Sequence, residues 1–391
     1  MSITKDVSAP AFSVPVTLPG TYAFDLECLS DGDPVALVDA SGAPVTSVSV
    51  TVSGTSGTTV VNTSAEPVNM PLFATCTFTE NPVPTGATVD YDPGQDATAD
   101  GSLASIATVH HPYAGDDDAQ TAVTATNTYT AGGFTVTKTV TNGGAVDQDG
   151  DPIAYDQVFT FTASCTYLGT TILTQSFTLT DGQSKAYTGL PTGASCTVTE
   201  TLPGLATPTI TVDGAASTNP ATFTIGNATT VAVAVTNAFT VGSVTVTKDV
   251  TGDGALPWGL NPFTVHMRCT LATADPDVVY EADHQFQAPL PANLTWTVDN
   301  LPTGAQCTVT EPQQGGANST TIAPNPVTVG VAPAVTTVAI TNTFTTGSVE
   351  VRKFLLGAGT DAPPISNGSY VMTISCTRVV DGGDGPGRAD S

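Results

Sequence analysis

An alternating strand with a lysine on its apolar side occurs four times in this chain. It reads SITKDV at Lys5, FTVTKTV at Lys138, VTVTKDV at Lys248 and VEVRKFL at Lys353. Side chains alternate across a strand, so Phe134, Val136, Lys138 and Val140 point one way and Thr135, Thr137 and Thr139 the other. Val244, Val246, Lys248 and Val250 repeat the arrangement. A lysine turned toward a core is unfavourable, because burial disfavours its charged form. Four of the five lysines stand at this one position, which gives the amine a role beyond solubility.

The lysines are 133, 110 and 105 residues apart, and three further landmarks recur between them. The first is an alternating strand ending in cysteine: YAFDLEC (Cys28), VFTFTASC (Cys165), FTVHMRC (Cys269) and YVMTISC (Cys376). The second runs from cysteine to glutamate: ATCTFTE (Cys76, Glu80), LPTGASCTVTE (Cys196, Glu200) and LPTGAQCTVTE (Cys307, Glu311). The third is a closing strand with asparagine: VTATNTY (Asn127), VAVTNAF (Asn237) and VAITNTF (Asn342). Short Gly-containing links lead from each closing strand to the next lysine strand. The landmarks place repeats at 1–131 (divergent), 132–241 and 242–346, with the start of a fourth at 347–391.

Units of about 100 residues are large enough to hold a core each. No segment carries a helical apolar period over a useful length. Strands rich in Val, Thr and Phe recur between Gly, Pro, Asn and Asp clusters, which reads as all-β: a tandem array of immunoglobulin-like or prealbumin-like β-sandwich domains. No run approaches a membrane span. The net charge of −26 offers no basic stripe to neutralise phosphates, so nucleic acid is excluded as a partner. The acidic groups gather in loops such as 30–34, 115–118 and 147–152. None of these has the ligand spacing of a calcium loop, and they read as solvated turns.

The cysteines pair by landmark: Cys28 with Cys76, Cys165 with Cys196, and Cys269 with Cys307. Each is in phase with apolar neighbours, as Cys165 is with Phe159, Phe161 and Ala163. Inward-facing cysteines on two strands of a sandwich suit a buried bridge between the sheets. One pair per complete repeat and one cysteine left over, Cys376, is the arithmetic of a disulfide framework. Six reduced core cysteines acting as small hydrophobes is the competing reading. Disulfides imply an oxidising, extracellular setting.

The glutamates and asparagines also face inward. Val198 and Glu200 share the phase of Cys196, Val309 and Glu311 that of Cys307, and Val235, Asn237 and Phe239 lie together. Each complete repeat thus sends an amine, a carboxyl and a carboxamide into its core. This pattern resembles the B-type repeat of the collagen-adhesin family of Gram-positive surface proteins and pilins. The likeness rests on the first-strand lysine, the LPTG turn (190–193) leading to TVTET (197–201), and the last-strand VTNAF (235–239). The first repeat lacks the LPTG turn, and the cysteine pair departs from the usual family pattern. It resembles instead a variant seen in long actinobacterial surface proteins.

The resemblance implies spontaneous isopeptide bonds between Lys5 and Asn127, Lys138 and Asn237, and Lys248 and Asn342. Glu80, Glu200 and Glu311 would assist. The chemistry is reasonable in a dry core: burial frees a neutral amine, a protonated carboxyl hydrogen-bonds the carboxamide oxygen, and fixed strands supply proximity. Two other readings of the residues stay open. The lysine could guard a sheet edge, or form a buried ion pair with the glutamate without a covalent bond.

No cofactor or metal site is expected, and no motif of an enzyme acting on an external substrate occurs. His110 and His111 are adjacent and would face opposite sides of a strand. No signal peptide precedes Met1, and no wall-sorting tail follows, so the chain reads as a segment of a longer secreted protein or an incomplete reading frame. The function expected is a structural stalk segment of a bacterial cell-surface protein, held at the cell wall, whose partners are neighbouring domains of the same chain. The alternative is an adhesin module for a surface protein or glycan, with the 80–120 loop of the first repeat as its binding site.

Overall fold

A computed structural model describes residues 1–61, 68–69, 74–92, 105–108, 122–201, 205–258, 262–286, 294–354 and 369–377. Apart from one helical turn at Ala255–Trp258, the regular structure of these residues is β-strand. The alternation seen in sequence becomes alternation of burial. Along Phe159–Tyr167, Phe159, Phe161, Ala163, Cys165 and Tyr167 are buried, while the residues between them are not.

Three sandwiches form on one plan. In the first, the lysine strand Ser2–Ser8 and the closing strand Ala122–Tyr129 are central in one sheet, flanked by Ser56–Val60 and Ala87–Asp92. The cysteine strand Thr21–Ser30 and glutamate strand Thr75–Glu80 are neighbours in the other. In the second, Ala131–Thr141 lies beside Thr230–Ala238, and Phe159–Tyr167 beside Ser195–Glu200. In the third, Val241–Thr251 lies beside Val335–Thr343, and Phe263–Thr270 beside Gln306–Gln313.

In the first and third sandwiches the lysine and closing strands run parallel. Lys5 stands opposite Ala125 and Val7 opposite Asn127. Lys248 stands opposite Ile340 and Val250 opposite Asn342. Each asparagine is therefore two residues beyond the lysine's partner, and period two returns it to the same face.

The disulfides correct one expectation. Cys28–Cys76, Cys165–Cys196 and Cys269–Cys307 are joined, but none spans the two sheets. Each links directly opposed residues of antiparallel neighbours within one sheet, with Cα atoms 4.0, 4.1 and 4.0 Å apart. Inward phase shows which face a cysteine occupies, and it is silent on which strand lies next to it.

The chain divides into two compact units. One comprises Met1–Thr139, Val158–Gly204 and Pro208–Thr236; the other comprises Val140–Gln157, Leu205–Thr207 and Asn237–Ser391. Within the second unit, Ala145 and Ile153 join the core built on Val246, Met267, Val309 and Ile340. Ala154–Tyr155 pairs with Ala274–Asp275, and the Tyr155 ring stacks on Phe239 at 3.9 Å. Residues 347–354 and 369–377 carry no strand, and Lys353 and Cys376 are exposed. Lys353 thus departs from its inward phase, because no strand among the described residues pairs with it to make a buried face.

Candidate functional site: a buried amine, carboxyl and carboxamide

Nine polar or charged residues are buried among the described residues: Lys5, Glu80, Asn127, Lys138, Glu200, Asn237, Lys248, Glu311 and Asn342. All six lysines and asparagines of this set are fully buried, and the glutamates are 3–5% exposed. Their strands explain the grouping. The lysine and asparagine come from neighbouring strands of one sheet, and the glutamate lies at or near the end of a central strand of the facing sheet.

The first sandwich gives the most complete geometry. Lys5 Nζ lies 3.1 Å from Glu80 Oε2, and it donates to Ala125 O at 3.2 Å. Asn127 Nδ2 donates to Glu80 Oε1 at 2.7 Å. One carboxyl therefore bridges the amine and the carboxamide. The expected contact between this carboxyl and the carboxamide oxygen is not the one formed. Glu80 meets the nitrogen, and Asn127 Oδ1 is buried without a hydrogen bond among the described residues. Asparagine offers a donor on one side and an acceptor on the other, and the donor is the side turned to Glu80.

In the second sandwich, Lys138 Nζ lies 3.9 Å from Glu200 Oε1. It donates to Thr139 O at 2.9 Å and to Val235 O at 3.4 Å, two residues before Asn237. In the third, Lys248 Nζ lies 3.1 Å from Glu311 Oε1, and Asn342 Nδ2 donates to Gln314 O at 3.1 Å.

Burial governs the charges. It lowers the Lys138 and Lys248 amines from 10.5 to about 8, with Glu200 and Glu311 opposing the shift. Lys5 is lowered for the same reason, with Glu80 opposing. Burial raises Glu311, against the pull of Lys248. In the third sandwich both partners are thus moved toward their neutral forms, where the amine is a nucleophile and the carboxyl a proton donor.

Sequence reasoning missed one member of the site. Each amine sits over an aromatic ring: Tyr22 at 5.0 Å, Phe159 at 4.3 Å and Phe263 at 4.5 Å. These rings precede Cys28, Cys165 and Cys269 by six residues each, an even offset that puts ring and cysteine on one face. The constant spacing was the available signal. The rings displace water from the amine and favour whatever charge it keeps.

Other proposed sites fall outside the described residues. Of the 80–120 loop, 93–104 and 109–120 lie there, including His110, His111 and the acidic run Asp116, Asp117 and Asp118. Among the described residues, no group of His, Cys, Asp and Glu is arranged to hold a metal ion, and no helix is long and apolar enough to cross a membrane.

A family described as Domain of unknown function (DUF5979) matches residues 1–130, 134–240 and 244–345. None of the curated proteins compared with the chain matches it. Solved structures similar to it include the major pilin protein (T-13) of Streptococcus pyogenes, at 17% identity and a TM-score of 0.37, covering 61% of this chain and 96% of that one. A pilus-presented adhesin (Cpa) is 19% identical over 43% of this chain and 36% of its own, with a TM-score of 0.22. The Bacillus anthracis TIE protein is 9% identical over 83% and 52%, with a TM-score of 0.29.

Proposed function

The chain belongs to that family, and we propose that it is a structural stalk segment of a bacterial surface protein in which each sandwich is tied by an intramolecular Lys–Asn isopeptide bond. The observation that carries this reading is Glu80, whose two oxygens contact the Lys5 amine at 3.1 Å and the Asn127 carboxamide at 2.7 Å inside the buried core.

The step is an amide exchange. The neutral Lys5 Nζ attacks Asn127 Cγ, a C–N bond forms, and the bond from Cγ to Nδ2 breaks. Glu80 takes a proton from the attacking amine and passes one to the departing nitrogen, which leaves as ammonia. One ammonia is lost, and nothing is oxidised or reduced. The carboxyl is placed for both transfers, and the strands hold amine and carboxamide together, replacing an improbable encounter. This occurs once per site and needs no substrate pocket. The same roles fall to Lys138, Glu200 and Asn237, and to Lys248, Glu311 and Asn342.

The topology supports a tension-carrying role. The lysine and closing strands are the first and last of each sandwich and lie side by side. A bond between them carries force across the domain without stretching the sheets between. Three disulfides favour an extracellular setting. The partners are neighbouring domains of the same protein.

Single-molecule pulling tests this reading. The second sandwich should show almost no extension, even after reduction, while Lys138→Ala should release a long unfolding step. Equal extension in both proteins would refute it.

A further inference from the structure

The acidic run at 147–152 has no part in the buried site, and it forms the turn of a hairpin. Val-Asp-x-x-Gly-x-Pro stands at 146–152 and also at 38–44. Both copies fold alike. Asp147 Oδ1 accepts the N–H groups of Asp149 and Asp151 at 2.9 Å each, and Ile153 N–H donates to Ala145 O at 3.0 Å. Asp39 Oδ1 accepts those of Ser41 and Ala43 at 2.8 and 3.0 Å, and Val45 N–H donates to Leu37 O at 2.8 Å. Gly150 and Gly42, which close the turns, have φ of +87° and +82°.

The two hairpins dock alike but differ in origin. In the first sandwich the hairpin follows the cysteine strand Thr21–Ser30 of the same repeat, Leu37 is buried in the core, and Val38 pairs with Asn69. The third sandwich has only 271–277 between Phe263–Thr270 and Val278–Phe286, without the motif. Its hairpin is 145–153, from the preceding repeat. Ala145 and Ile153 are buried in its core, Val146 N–H donates to Asn300 O at 3.1 Å, and Ala154–Tyr155 pairs with Ala274–Asp275. Asn69 and Asn300 hold one position, seven residues before Cys76 and Cys307. In the second sandwich that position is Gly189, seven before Cys196, and its carbonyl accepts Ser13 N–H from the first repeat at 2.9 Å. Ser13 and Val146 each stand eight residues after their lysine, Lys5 and Lys138. Pairing passes from Gly132–Leu190 to Gly133–Thr188, and from Gly242–Leu301 to Val244–Val298, so Gly189 and Asn300 are bulged out of their own ladder. Each of these contacts lies inside one compact unit.

We propose that the position seven residues before the second cysteine is a docking socket, and that the third sandwich takes from the preceding repeat the hairpin that the first takes from its own. The partner it recognises is the segment after the lysine strand of a preceding copy. The bulge turns a carbonyl to that segment, and Ile153 leaves water only when the hairpin is seated. The core of 242–346 is thus incomplete without 140–157, and consecutive repeats fold as linked neighbours. The docking stands whether or not ammonia is lost at the buried sites.

Amide exchange in the full chain tests this from both sides. Ile153→Ala should speed exchange across Phe263–Thr270, in the third sandwich, at least about tenfold more than across Phe159–Tyr167, in the hairpin's own repeat. Equal acceleration of the two strands, or none at Phe263–Thr270, would overturn the docking. In the reciprocal variant, Ala274→Asp, the Val146 and Asp156 amides should exchange at least about tenfold faster, since Val146 donates to Asn300 O and Asp156 to Thr273 O. That readout serves even where Ala274→Asp unfolds the third sandwich, because only a hairpin seated there is released with it. Unchanged exchange at Val146 and Asp156 would overturn the docking equally.

Discussion

Lys5 Nζ and Glu80 Oε2 lie 3.1 Å apart with both side chains fully buried. An ion pair at such depth is weak as a stabilising device, because desolvation offsets much of the attraction. It recurs at Lys138–Glu200 and Lys248–Glu311, each beside a buried asparagine, and the proposed chemistry uses all three groups.

Glu200→Ala should leave Lys138 and Asn237 in place yet block their joining, so the second sandwich should keep its ammonia. It should also lose roughly 3–5 kcal/mol, because the buried amine is left without its counter-charge. Mass analysis of the peptides bearing Lys138 and Asn237, with urea unfolding alongside, measures both. A normal yield of linked peptide would remove Glu200 from the mechanism.

Asn342→Ala should produce a third sandwich whose lysine stays free, exposing the pH dependence of the amine. Folding lowers Lys248 from 10.5 to about 8. Between these values the unfolded chain binds more protons than the folded one, so stability should rise with pH from about 8 to about 10.5. Below about 8 the amine is protonated in both states and contributes no further change. Glu311 acts in the opposite sense. Its folded value is raised, so its contribution is present in acid and lost as pH rises through that value. Denaturation followed by tryptophan fluorescence reports on this repeat, since both tryptophans, Trp258 and Trp296, lie in it.

Thiol labelling should separate the cysteines cleanly. Cys376 is exposed and should react in native protein. The six others should react only after both unfolding and reduction. Removing the Cys165–Cys196 bridge should destabilise its sandwich by about 2–5 kcal/mol. That loss should shrink where the Lys138–Asn237 bond already closes the surrounding loop, because two ties on one loop are not additive.

Much of this was legible because a strand's period is two. Counting in twos from Phe134 reaches Lys138, from Cys196 reaches Glu200 and from Val231 reaches Asn237, and these residues are buried together with their apolar neighbours. The same count cannot say which strands adjoin. Hence the cysteines, known only to face inward, were expected to bridge the sheets and instead bridge neighbours within one. Nor does the count show which atom of a side chain meets its partner, so the Asn127 nitrogen rather than its oxygen was found at Glu80. The rings of Tyr22, Phe159 and Phe263 were hidden in plain alternation, because an aromatic residue on an apolar face ordinarily signals core alone.

The most direct measurement is the intact mass of the purified, reduced chain. The account predicts a deficit of three ammonia molecules against the sequence mass, one each for Lys5–Asn127, Lys138–Asn237 and Lys248–Asn342. A mass equal to the sequence mass would contradict it and leave three buried ion pairs in place of three covalent ties.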